Sequence, residues 1–146
     1  MARYAAGVLT GAGSTTLPIF ALTGGTTVRP QIVEIGVSNT VATAVALKLV
    51  RISTAGTPGS TATSNQVDNP EGAVSVALAK GTYTSTGPTI ADLGYRCQLG
   101  AAVGSGWVWT FGGSGLAVPA VANAGIGIVV ENGTGQACQA YVVWTE

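Results

Sequence analysis

The sequence has no histidine, only two cysteines, and very little charge: six basic and six acidic side chains in 146 residues. Without histidine the chain lacks the one side chain that ordinarily titrates near neutral pH, so acid–base catalysis has few candidates. Two cysteines with no histidine supply too few ligands for a structural zinc site. The balanced, thinly spread charges leave no footprint for nucleic acid and no polybasic stripe for an anionic membrane. Long apolar runs are missing too. Tyr4 to Val28 and the 34-residue stretch Cys97 to Val130 are uncharged. Gly, Ser, Thr, Pro or Asn interrupts each every few residues, so neither reaches the ~20 consecutive apolar residues of a spanning helix. Met1 to Thr10 has one basic residue and no apolar core of signal-peptide length, so synthesis in the cytoplasm is the expectation.

What the chain does have is glycine, 22 residues of it, with abundant Thr, Val and Ala. Charged residues make up 8% against about 25% in an ordinary globular protein. With a mean hydropathy of +0.44, that scarcity implies a surface partly covered by other chains. The length suits one domain, residues 1–146, able to bury roughly two-thirds of its unfolded surface.

Apolar residues alternate at period two through Arg29, Gln31, Val33, Ile35 and Val37, and again through Cys138, Ala140, Val142 and Trp144, which marks half-buried strands. Gly-rich turns at 11–15, 24–25, 55–59, 104–106 and 112–115 punctuate the pattern. Strands are predicted near 4–9, 17–22, 28–38, 43–52, 73–78, 93–99, 107–111, 116–119, 125–131 and 138–145, the signature of an antiparallel all-β sandwich or barrel. Val41, Val45, Leu49 and Ile52 also fall at helical spacing, but their β-branched surroundings favour strand. Residues 69–81 fit either a strand or a capped helical turn with Asn69 as N-cap, Pro70 next and Gly81 at the end. The polar stretch Thr54 to Asn69 is long for a hairpin loop and is expected to cross between sheets or reach a partner subunit.

No motif in the chain assembles a catalytic constellation. Gly11 to Thr16 lacks the lysine of a phosphate-binding loop and reads as a turn. Asp68 and Glu71 are the closest carboxylates but flank a proline in a polar loop, where solvation or capping is the simpler role. Trp107 and Trp109 share one face of a strand with Phe111 in phase, as core, as a subunit interface, or as a platform for stacking on glycan rings. Asn132-Gly-Thr134 reads as an Asn-Gly turn joining the last two strands. Arg51, Arg96 and Glu131 lie within apolar strands as edge protection, intersubunit ion pairs or solvated groups. Cys97 and Cys138 fit two buried thiols or, if their strands are neighbours, a bridge.

One resemblance extends over roughly the last hundred residues. At Leu49 to Thr57, Asp68-Asn-Pro70, Gly87-Pro-Thr89, Trp107-Val-Trp109, Val118-Pro119, Gly125 to Ile128 and Ala140 to Glu146 the chain resembles small jelly-roll virion proteins of tailed bacteriophages. Among these are the decoration, or cement, proteins bound outside the capsid. The resemblance implies a jelly-roll β-sandwich of about 8–10 strands, no enzymatic activity and no cofactor. It implies a virion protein, made in the host cytoplasm, that sits on the outer capsid surface and binds the major capsid protein and further copies of itself as a trimer. Similar modules also serve in necks and tails. Residues 1–25 are then an N-terminal arm or an edge strand. Arg3, Tyr4, Arg29, Arg51 and Tyr83 are the candidates for self-association or capsid contact, and Trp107 and Trp109 for core packing or a host glycan.

Overall fold

The computed structural model describes residues 1–68 and 72–146, and every element in it is a strand or an irregular connection. In chain order the strands are β1 (Arg3–Leu9), β2 (Phe20–Thr23), β3 (Gln31–Asn39), β4 (Val45–Ile52), β5 (Thr61–Ala62), β6 (Asn65–Gln66), β7 (Leu78–Lys80), β8 (Ile90–Leu99), β9 (Gly106–Thr110), β10 (Leu116–Ala117), β11 (Gly125–Val130) and β12 (Cys138–Thr145). They pair antiparallel into two sheets. One, sheet A, runs β10-β3-β12-β1-β6 with β9 also on β3, and the other, sheet B, runs β5-β7-β2-β11-β4-β8. The long strands alone give β1-β12-β3-β9 facing β2-β11-β4-β8. Numbered by themselves, that is the 1-8-3-6 and 2-7-4-5 order of a jelly roll, as expected.

The core lies between the sheets and follows from strand periodicity. Along β12, Cys138, Ala140, Val142 and Trp144 point inward and are buried, while Gln139 and Tyr141 point out. The alternation expected from Arg29 to Val37 does not run unbroken. Val143 pairs Glu34 but Trp144 pairs Ile32, so Val33 is an extra residue, a β-bulge that changes phase and sends both Ile32 and Ile35 into the core. β8 has a second irregularity: Arg96 and Asp92 pair Lys48 and Val50, so Leu93-Gly94-Tyr95 bow out opposite Leu49. Gly94 supplies the positive φ of 85°, and its N–H donates to Asp92 Oδ1 at 2.7 Å.

The outer faces of the two sheets are unlike. On sheet B, β11 is buried at all six positions, and Ala21, Ile52 and Tyr83 form a small second core with Leu17 and Ile90. Loops 53–60 and 81–89, bridged by Pro58 and Tyr83, supply that cover. Among the described residues sheet A has no such cover, and Leu9, Val108 and Tyr141 stay exposed.

Several expectations change. Residues 72–77 are irregular and only 78–80 form a strand, so the strand predicted at 73–78 starts late and the alternative helix does not form there; Asn69 to Glu71 lie outside the described residues. The Asn-Gly segment joins β11 to β12 across the sandwich and is not a hairpin turn, because the two strands belong to different sheets. The Thr54 to Asn69 stretch does cross between sheets, placing β5 in sheet B and β6 in sheet A. Of the arm or edge strand expected of residues 1–25, residues 3–9 form a strand, paired along its length with β12 and on its other side with β6 only at Tyr4 and Ala5.

Candidate functional site

The open outer face of sheet A is built row by row from strand register. One row reads Gly7, Tyr141, Gly36, Val108 across β1, β12, β3 and β9, and the next reads Leu9, Gln139, Ser38, Gly106. Glycine at 36 is what lets the Tyr141 ring lie flat on the sheet, since a Cβ there would overlap the ring. The ring is fixed at its far end by donating its hydroxyl proton to Glu34 Oε1 at 2.6 Å. That hydrogen bond, then burial and the Glu34 charge, push the Tyr141 phenol up to about 12. Around it is a groove of about 530 Å³ lined by Gly7, Leu9, Ser38, Trp107, Val108 and Gln139 among others. A second groove of about 530 Å³ lies toward the opposite end of the face, between Arg3, Gln31, Thr145 and the Phe111–Gly115 turn.

The seven residues singled out from sequence are not brought together. Arg3 is exposed, and its backbone N–H donates to both carboxylate oxygens of Asp68 at 3.1 and 3.2 Å. The hydrogen bond from the Arg3 N–H, helped by the Arg3 and N-terminal charges, lowers the Asp68 pKa. Arg29 is exposed in the connection before β3. Arg51 is half-buried and ties the two sheets by donating to the Ala117 carbonyl at 3.2 Å. Tyr4 and Tyr83, expected as contact residues, are each 4% exposed and spend their rings on the chain's own cores. Tyr4 stacks on Trp144 with ring centroids 5.7 Å apart and donates to the Ala73 carbonyl at 2.8 Å. Tyr83 packs in the second core, and burial raises its pKa. Trp109 is 6% exposed and belongs to the main core, while Trp107 is 46% exposed at the groove rim. Phe111 meets Tyr95 edge-on at 5.4 Å. A ladder of exposed aromatic rings for a sugar therefore does not form: of the two indoles on this side of β9 only Trp107 is exposed.

The remaining polar groups are structural. Arg96 bridges Asp92 and Glu131 at 2.5 Å each, and Lys48 approaches Asp92 at 3.5 Å, an intrachain network across β4, β8 and the residue after β11. Asn39, buried at the end of β3, donates to the carbonyls of Thr43 at 2.9 Å and Gly100 at 2.7 Å, and accepts from Gln136. Cys97 and Cys138 are both free and buried; burial, with a contribution from Cys138, pushes the Cys97 thiol up to about 12. Among the described residues no cluster of three or more His, Cys, Asp or Glu is placed to hold a metal ion, and no helix is long and apolar enough to cross a membrane.

The residues of this face were passed over in the sequence, although Gly36 inside a β-patterned run carried a signal. An isolated glycine in a strand marks a close approach, here that of the Tyr141 ring. The fold defines the class of the molecule as a jelly-roll β-sandwich whose open face is neutral and mostly apolar. No family model, curated protein or solved structure gives a significant match to the chain.

Proposed function

We propose that this chain is a non-enzymatic structural protein of a tailed bacteriophage that decorates the outer surface of the capsid, binding the major capsid protein and other copies of itself. The observation that carries the reading is the difference between the two sheet faces. Sheet B is covered by loops 53–60 and 81–89 over Ala21 and Ile52 and carries the Lys48, Asp92 and Arg96 charges where it is open, while sheet A keeps an open face of Gly, Leu, Val and Tyr residues with few charges. Such a surface suits a broad, flat partner better than a small substrate. Its one titratable pair, Tyr141 with Glu34, holds the phenol near 12, far from the range of a neutral-pH acid or base. A protein that binds only the assembled shell adds its binding free energy to particle stability by linkage and needs no catalytic pocket.

The family resemblance supplies the capsid as partner and the trimer as assembly; a neck or tail position would use the same face. A second reading, a glycan-binding sandwich, rests on the exposure of Trp107 at the rim of the groove. The test is co-sedimentation of the purified chain with heads, lacking it, of the phage that encodes it. Binding that raises the heads' thermal resistance, and that Leu9→Asp weakens without unfolding the chain, is expected. Failure to bind heads, with binding to immobilised host glycans that requires Trp107, would replace this reading by the second.

A further inference from the structure

The edges of the two sheets are protected unequally. β5, β6 and β10 are two-residue strands, too short to template another chain. β8 is long but is bowed at Gly94 and carries Asp92 and Arg96 in an ion-pair network. Charges and bulges of this kind are the usual guards of an edge. β9, Gly106-Trp-Val-Trp-Thr110, has none of these: no charge, no proline, no bulge, and four of its five residues exposed.

Its hydrogen-bonding direction is fixed by two neighbours. Ser105 accepts from Asn39 N–H at 2.8 Å, and Phe111 N–H donates to the Val33 carbonyl at 2.8 Å. The odd-numbered residues of β9 therefore face β3, and Gly106, Val108 and Thr110 direct their N–H and C=O groups away from the sheet. No strand pairs that side among the described residues.

We propose that β9 is a self-association edge, pairing antiparallel with β9 of a second copy about a two-fold axis at Val108. In that register Val108 meets the partner's Val108 and Gly106 meets the partner's Thr110, exchanging up to about six backbone hydrogen bonds. Trp107, 46% exposed in the single chain, comes beside the partner's Trp109. The occupant is argued from charge and symmetry. A strand without charge offers nothing to recruit a charged partner, its own copy is equally neutral, and the register sets no charge against another. A stable dimer buries about 800 Å² per partner, roughly an eighth of this chain's 6584 Å² of accessible surface. The two grooves, one along Gly106 to Val108 and one beyond the end of β9 at Phe111, add surface next to the paired strands. The pairing is isologous and closes at two, so a trimer would need a second surface. The inference does not depend on the virion reading.

The test uses the full chain in sedimentation velocity and light scattering across micromolar concentrations. The wild type is expected to dimerise. Val108→Pro removes an outward N–H that the β3 ladder does not use, and Val108→Lys sets like charges opposite each other. Each should weaken the dimer by roughly tenfold or more while circular dichroism and the thermal midpoint of the dilute protein stay unchanged. Mixing Val108→Lys with Val108→Glu should restore a dimer, and Gln98→Lys on β8 should leave association intact. A wild type that is monomeric throughout, association indifferent to both Val108 variants, or equal loss in Gln98→Lys would overturn the proposal.

Discussion

Trp144→Ala is expected to be among the most damaging single substitutions in this chain. Trp144 is fully buried, stacks on Tyr4 at 5.7 Å, and donates its indole N–H to Glu146 Oε1 at 3.1 Å. Glu146 in turn accepts from Ser75 Oγ and from Val76 N–H at 3.2 Å, so the indole, the last residue and the loop before β7 form one unit. Emptying the Trp site costs about 3–5 kcal/mol from transfer and cavity, and the lost aromatic pair places the figure near the top of that range. Against a total stability of roughly 5–15 kcal/mol, this lowers the thermal midpoint by roughly 8–16 °C. Trp144→Phe keeps a ring against Tyr4 and gives up the N–H and some volume, for about 1–2 kcal/mol. Urea unfolding followed by circular dichroism separates the two, with an unchanged slope showing that native stability was altered. A Trp144→Ala loss below about 1.5 kcal/mol, or no greater than that of Trp144→Phe, would refute the account of the core.

Four further outcomes follow from the same geometry. Asn39→Leu should cost about 1–3 kcal/mol by urea titration, because the Thr43 and Gly100 carbonyls and the Gln136 amide lose their Asn39 partner. Cys97 and Cys138 should react with a thiol reagent at neutral pH only at the rate of global unfolding, since burial raises both thiol pKa values and holds Cys97 near 12. Gly36→Ala should lift the Tyr141 ring, break its bond to Glu34 and return the phenol from about 12 toward its ordinary value of 10.0, read by phenolate absorbance. The alkaline limb of stability follows by sign: the Cys97 and Tyr141 protons are held more tightly folded than unfolded. Their contribution is complete below the unfolded values of 9.0 and 10.0 and is lost as pH rises toward 12, so the urea midpoint should fall over that window.

Where one strand buries one face against one sheet, the sequence was enough. The alternation from Cys138 to Trp144 is observed residue for residue, 125–131 runs one residue past β11, and 107–111 is displaced by one residue from β9. Legibility ended where a distant partner decides. β5 and β6 are two-residue strands of Thr, Ala, Asn and Gln whose pairing comes from β7 and β1, not from any local pattern. The bulge at Val33 left no mark on the periodicity that crosses it. Tyr4 looked like a contact residue because its cover, Trp144, lies at the other end of the chain, and Tyr83 because its cover is a pair of loops. The charges at 51, 96 and 131 were undecided from sequence and resolve within the chain, into a hydrogen bond between the sheets and an ion-pair network across β4, β8 and the residue after β11. The open face of sheet A is a property of where loops do not lie, which single-residue reasoning does not reach.

The central claim, a decoration protein spread over a phage shell, is tested most directly by the copy number of this chain relative to the major shell subunit in purified particles, measured by quantitative mass spectrometry. The account predicts abundance comparable to the shell subunit. A handful of copies per particle would move the protein to the neck or tail, and absence from the particle would contradict the claim.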